Sequence, residues 1–278
     1  MNHPHGDFLS RAPDWSLWIG HLGRGSIALA LVAFVLAALL WGARQGSERW
    51  SARLFTLGCS ALLTAFAALL VLLLADQFQF AYVFDHSDRA TDTQYKVAAL
   101  WAGQEGSFLL WACCSAVFGL LAARCTHKDR RWFTVSFSAF LASLAGILAY
   151  ESPFRINLIE GQPLVPPDGN GMVPSLLNYW ITIHPPTIFL GFGSLAVLTC
   201  WALAACVRRD LDHWAPRIRP WAIVSATFLG LGLCMGGFWA YETLGWGGFW
   251  AWDPVENTSF VPRVWVIALI HGLFIQSA

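Results

Sequence analysis

Long apolar runs, each ended by a short polar stretch, set the pattern of this chain. A helix that crosses a bilayer needs about 20 mostly apolar residues. Seven runs qualify: Ser26–Ala43, Leu54–Leu74, Ser107–Ala123, Trp132–Tyr150, Tyr179–Val207, Pro220–Tyr241 and Phe260–Ala278. The pattern predicts an all-α integral membrane protein with about seven transmembrane helices. Residues 1–25 read as an N-terminal tail and 26–241 as a six-helix membrane domain with long loops at 75–106 and 151–178. A tryptophan-rich loop follows at 242–259, then the seventh helix at 260–278. Composition supports this: 56% of residues are hydrophobic and 12% charged, against roughly 25% charged in soluble domains.

The formal net charge is zero and informs only once the charges are sorted by loop. Loops 44–53, 124–131 and 208–219 hold three, four and four Lys/Arg, or 11 of the 17. Loops 75–106, 151–178 and 242–259 hold two, one and none. The positive-inside rule then places the first set in the cytoplasm, and the N-terminus and the tryptophan-rich loop outside. Residues 1–25 lack a basic leader followed by an apolar run and a small-residue cleavage site, so the first span is expected to be a retained anchor. Nucleic acid is not expected as a partner.

The seven cysteines lie in spans or at their cytoplasmic ends, and no C-x-x-C or C-x-x-C-H occurs. The chain is thus neither a disulfide scaffold nor a c-type cytochrome itself. Two histidines stand out by position. His271 lies nine residues past Pro262, about 14 Å into the bilayer, where an ionisable group is a functional candidate; a neutral histidine bonded to a neighbouring helix is the plain alternative. His184, before Pro185-Pro186, is expected at a helix start with its ring free to face outward, or as a simple cap. His86 is a spare ligand on the outer side. His3 and His5 read as tail residues, His127 and His213 as solvated loop residues, and His21 as interfacial.

The densest chemistry is the stretch from Trp239 to Asn257. Four tryptophans, a tyrosine and a phenylalanine alternate there with Gly245, Gly247 and Gly248. Glycine beside tryptophan leaves aromatic faces uncovered, as a platform for a large, flat, apolar ligand needs. An interfacial aromatic belt is the competing explanation. Asp253, Pro254 and Glu256 fit the N-cap, N1 and N3 positions of a short helix, so Asp253, Pro254, Glu256 and Asn257 read as organisers of the loop.

Three features in order resemble the haem-handling WWD family, and within it the cytochrome c maturation proteins CcmF. They are Trp101-Ala-Gly103-Gln104-Glu105-Gly106-Ser107 running on to Trp111, Ile183-His184-Pro185-Pro186, and Gly245-Trp246-Gly247-Gly248-Phe249-Trp250-Ala-Trp252-Asp253-Pro254-Val255-Glu256-Asn257. The related CcmC and CcsA carry different residues after Trp-Asp; the paralogue NrfE is not distinguished. The resemblance implies a cytochrome c haem lyase in the bacterial inner membrane, with its active loops on the periplasmic side. Haem would arrive from the carrier CcmE and be joined to apocytochrome c with the thiol-handling partner CcmH. His184 would ligate the substrate haem, with Trp239, Trp246, Gly247, Gly248, Trp250 and Trp252 around the ring. His271 would ligate a second haem b in the membrane, reduced by quinol.

The sequence departs from the family in two places. It stops at Ala278, where the family continues with a second half bearing further histidine ligands, so a fragment or a separately encoded C-terminal half is expected. Arg263 stands where the family usually has tryptophan and suits a carboxylate partner. A haem transport module without ligation activity, and a membrane scaffold that binds no haem, remain as other readings.

Overall fold

The computed structural model describes residues 12–42, 48–126, 129–159, 162–163, 165–209, 214–245 and 247–276. Among them are seven helices long and apolar enough to cross a membrane: α1 (Asp14–Gly42), α2 (Glu48–Leu74), α5 (Gln104–Cys125), α6 (Arg130–Tyr150), α7 (Trp180–Arg208), α8 (Trp214–Thr243) and α9 (Pro254–Gln276). Two short helices, α3 (Ala81–His86) and α4 (Thr93–Ala98), fold within the loop after α2. A two-residue antiparallel ladder pairs Leu158–Ile159 with Gln162–Pro163.

All seven runs become helices, but several start earlier than their apolar runs. α1 begins at Asp14, inside the stretch expected as tail. One face of its first turns, at Ser16, Gly20 and Gly23, is buried against protein, so the helix there does not depend on an unbroken apolar run. The Phe80 and Phe154 rings lie where side chains at Gly20 and Gly23 would project, and the Gln79 amide donates to the Ser16 hydroxyl at 2.6 Å. α9 begins at Pro254 and takes up the last residues of the expected loop 242–259. His3, His5, His127, His213 and Trp246 lie outside the described residues.

α1 packs on α2 and α6, α7 on α5, α6 and α8, and α9 on α8. A run of rings crosses the bundle: Phe34 on Phe55 (5.9 Å), Phe55 on Phe137 (6.2 Å), Phe137 on Phe133 (5.3 Å) and Phe133 on Trp201 (5.9 Å). It joins α1, α2, α6 and α7 with edge and tilted geometries of the kind aromatic pairs prefer. At the basic end, buried Asp129 accepts from Arg208 at 2.6 Å, Arg217 at 2.8 Å and the Trp201 indole at 3.2 Å. This carboxylate ties the ends of α6, α7 and α8. The opposite end, which carries the long loops and the ion pairs of Lys96 with Asp76 and of Arg155 with Glu105 and Glu151, opens into a cavity.

Candidate functional site

The cavity, about 810 Å³, lies among α5, α7, α8 and α9 at the end that carries the long loops. Its volume falls in the upper part of the roughly 300–1,000 Å³ range of small-molecule sites. Its walls are mostly apolar, and among the described residues His184 is its only basic lining residue. Among the expected site residues, His184, Trp239, Trp250, Asp253 and Glu256 line it.

His184 lies inside α7 rather than at its cap, because the helix starts at Trp180 and runs through Pro185 and Pro186. A proline inside a helix frees the carbonyl four residues back, here that of Ile181. The Trp101 indole donates to that carbonyl at 2.7 Å. The early glycine–tryptophan motif thus repairs the defect beside His184. Trp101 is itself set by Tyr82, which packs under Gly103 and Gly106 and donates to the Ala99 carbonyl at 2.8 Å. Burial pushes the Tyr82 phenol above its ordinary value, so it remains a neutral donor.

The His184 ring crosses to α8, where Gly236 has no side chain to stop it. Its Nδ1–H donates to the Gly232 carbonyl at 2.9 Å, and the ring meets Trp239 edge-on at 5.6 Å. With the proton on Nδ1, Nε2 carries the lone pair. A backbone carbonyl fixing the far nitrogen is the usual support of a metal-ligating histidine. No three His, Cys, Asp or Glu gather to hold a bare metal ion among the described residues. A metal held at His184 must therefore bring most of its ligands with it, as haem iron does.

The aromatic loop forms the roof. Glu256 accepts from the Ala251 and Asp253 amides at 2.8 and 3.3 Å, and the Glu256 amide donates to Asp253 at 2.7 Å. This reciprocal cap starts α9. The Asn257 amide holds the Trp252 carbonyl at 3.1 Å. Trp252 has a left-handed backbone (φ 60°) and is 66% exposed. Its ring contacts Trp250 and Phe260 at 5.8 and 5.9 Å, but it does not line the cavity; neither do Gly247 and Gly248. The loop base is tied by Glu242, whose carboxylate accepts from the Tyr179 hydroxyl at 2.9 Å and the Trp180 indole at 2.8 Å.

Two expected ligands lie elsewhere. His86 stacks on Tyr82 at 4.4 Å and donates to the Tyr82 carbonyl, away from the cavity lining. His271 lies on the exposed face of α9, its Nδ1–H donating to the Ile267 carbonyl at 2.8 Å. The sequence reading missed Phe108, Phe189 and Phe192, which line the apolar depth. Phenylalanine in a membrane helix gives no sign of whether it faces lipid or a cavity. Trp111 and Trp250 also face the cavity, and their buried indole nitrogens have no hydrogen-bond partner among the described residues.

A family profile described as "Cytochrome C assembly protein" matches residues 101–278. The protein from Pseudomonas aeruginosa named "Cytochrome c-type biogenesis protein CcmF" is 38% identical over 269 residues, covering 92% of this chain and 40% of that protein. The "Cytochrome c-type biogenesis protein NrfE" of Haemophilus influenzae is 35% identical over 204 residues, covering 71% of this chain and 31% of that protein. A solved structure, "Cytochrome c Heme Lyase CcmF", aligns with a TM-score of 0.76 at 29% identity, covering 99% of this chain and 44% of that one. The chain spans about 40% of the length of curated CcmF relatives such as the Pseudomonas protein.

Proposed function

Because the chain belongs to the cytochrome c assembly family and corresponds to the N-terminal part of its CcmF members, we propose that its cavity holds haem for attachment to apocytochrome c. One observation carries this reading. Motifs distant in sequence build a single apolar cavity around a histidine whose Nδ1 is occupied and whose Nε2 is left as a lone-pair donor.

On this reading, haem is the substrate and supplies an iron already ligated in one plane. His184 Nε2 takes an axial position on that iron. Trp239 and Trp250 bound the ring with their edges and faces, and the apolar depth excludes water. The Glu256–Asp253 cap fixes the roof. Attachment adds a cysteine thiol across a haem vinyl group: a carbon–sulfur bond forms, the carbon–carbon π bond is lost, and the thiol proton ends on the neighbouring carbon. The addition is redox-neutral, so the chain must hold the vinyl edge still while a thiol approaches.

The loop end faces the periplasm, in keeping with the 11 basic residues at the other end. CcmE delivers the haem, and CcmH presents the apocytochrome. His271 would hold a second haem b in the membrane together with a ligand from a C-terminal half, and that haem would supply electrons drawn from quinol. The test is His184→Ala in a strain that makes a reporter cytochrome c. Covalent haem staining of the reporter should vanish while the spectrum of the membrane haem persists. Normal staining would remove His184 from the chemistry.

A further inference from the structure

The cavity has a polarity that its apolar lining conceals. Its rim carries the carboxylates of Asp253 and Glu256, and among the described residues no lysine or arginine lines it. A cation lies just beyond the lining. Ser259 on α9 and Leu233 on α8 both line the cavity; Arg263 is one turn past Ser259, and Gly230 is one turn past Leu233. At that level the Arg263 guanidinium lies against the α8 backbone, in the space that a side chain at Gly230 would fill. It is about 14 Å from the start of α9 at Pro254, at 1.5 Å per residue.

Among the described residues, Arg263 has no ion pair or hydrogen bond. Arginine inside a membrane helix is costly and normally faces a cavity or a partner. The Trp111 indole, two turns inside α5, adds an N–H group without an acceptor among the described residues, a desolvated donor that a ligand oxygen would relieve. The wall therefore offers a donor and a deep cation, while the rim offers negative charge.

We propose that Arg263 receives a carboxylate of the ligand, so that haem lies with its propionate edge inward and its vinyl edge toward the mouth. This rests on the haem reading above and deepens it. Haem's only peripheral hydrogen-bond acceptors are its two propionates. Rim acids repel them, and a guanidinium pairs with them strongly. The opposite, apolar edge is then the one an incoming thiol meets, where attachment needs it. Arg263 is a positioning residue: it fixes which edge is presented and does not touch the reacting carbons.

The experiment uses the protein purified in lipid nanodiscs with every subunit that co-purifies. Binding of iron protoporphyrin IX and of its dimethyl ester is followed at the Soret band. The wild type should prefer the free acid by about tenfold or more, as a charge-assisted contact predicts. Arg263→Met should lose that preference while retaining ester binding, and Arg263→Lys should keep part of it. Gly230→Ala retains the charge but displaces it, and should also lower the preference. Equal binding of acid and ester by the wild type overturns the proposal and leaves the haem reading standing. Failure of both to bind overturns both. Equal binding together with loss of a co-purifying polypeptide from Arg263→Met assigns the arginine to that polypeptide's acidic side chain, and likewise overturns the proposal.

Discussion

His184 and His271 are prepared in the same way and placed in opposite surroundings. Each donates Nδ1–H to a backbone carbonyl, at 2.9 and 2.8 Å, leaving Nε2 as the free lone pair. His184 lies on α7, a largely buried helix, with tryptophan beside it and a cavity in front. His271 lies on α9, where only Ser259, Val266 and Leu273 are buried among the described residues. Its face of the helix also exposes Val264, Ile267, Phe274 and Ile275. The fixed Nδ1–H is common to both, and the surrounding wall differs. On the proposed reading the outer site is built around His184 within this chain, whereas His271 would need a second surface to complete its site.

The comparison breaks most sharply at the histidines. His184→Ala should abolish attachment of haem to a reporter cytochrome and leave the membrane haem intact, read by covalent haem staining beside the visible spectrum. His271→Ala should do the reverse to the spectrum. Co-expression with a C-terminal half should give a six-coordinate low-spin haem, and this substitution should remove it. If the chain alone shows that spectrum, a second ligand lies within these 278 residues, and the contrast between the two sites fails.

The next effects sharpen the wall around His184. Trp250→Ala should weaken haem capture by about tenfold, since one aromatic contact is worth about 0.5–1.5 kcal/mol beyond buried area. Trp252→Ala should weaken it less, because that ring lies outside the cavity lining; titration of haem into the purified protein separates the two. Trp101→Phe removes the indole that satisfies the Ile181 carbonyl and should cost about 1–3 kcal/mol of stability. A lowered thermal midpoint with haem affinity partly recovered on cooling would mark that loss. The smallest perturbation concerns placement alone. Phosphatase fused after Gly161 or Gly248 should be active and after Asp129 inactive, and the reverse pattern would put the cavity on the wrong side of the membrane.

Seven spans were legible because lipid selects for run length, which a sequence displays directly. The start of α1 was not. His21 and Arg24 interrupt its apolar run, and only the packing of Phe80 and Phe154 on Gly20 and Gly23 shows why the helix continues to Asp14. The two short helices after α2 are likewise products of packing rather than periodicity. His184, Trp239 and Trp250 could be singled out because His184 precedes Pro185-Pro186 and both tryptophans fall in the dense tryptophan–glycine stretch from Trp239 to Asn257. Their geometry could not, since the bond from Trp101 to Ile181 spans 80 positions. The outward turn of Trp252 depends on a left-handed backbone that its residue type gives no reason to expect.

The most direct test of the account is the iron ligand itself. In the haem-loaded protein, His184→Gly should remove the Soret signature of the outer haem, and added imidazole should restore it by filling the space the ring left between α7 and Gly236 of α8. A His184→Gly protein whose outer-haem spectrum is unchanged, before any imidazole is added, would contradict the account.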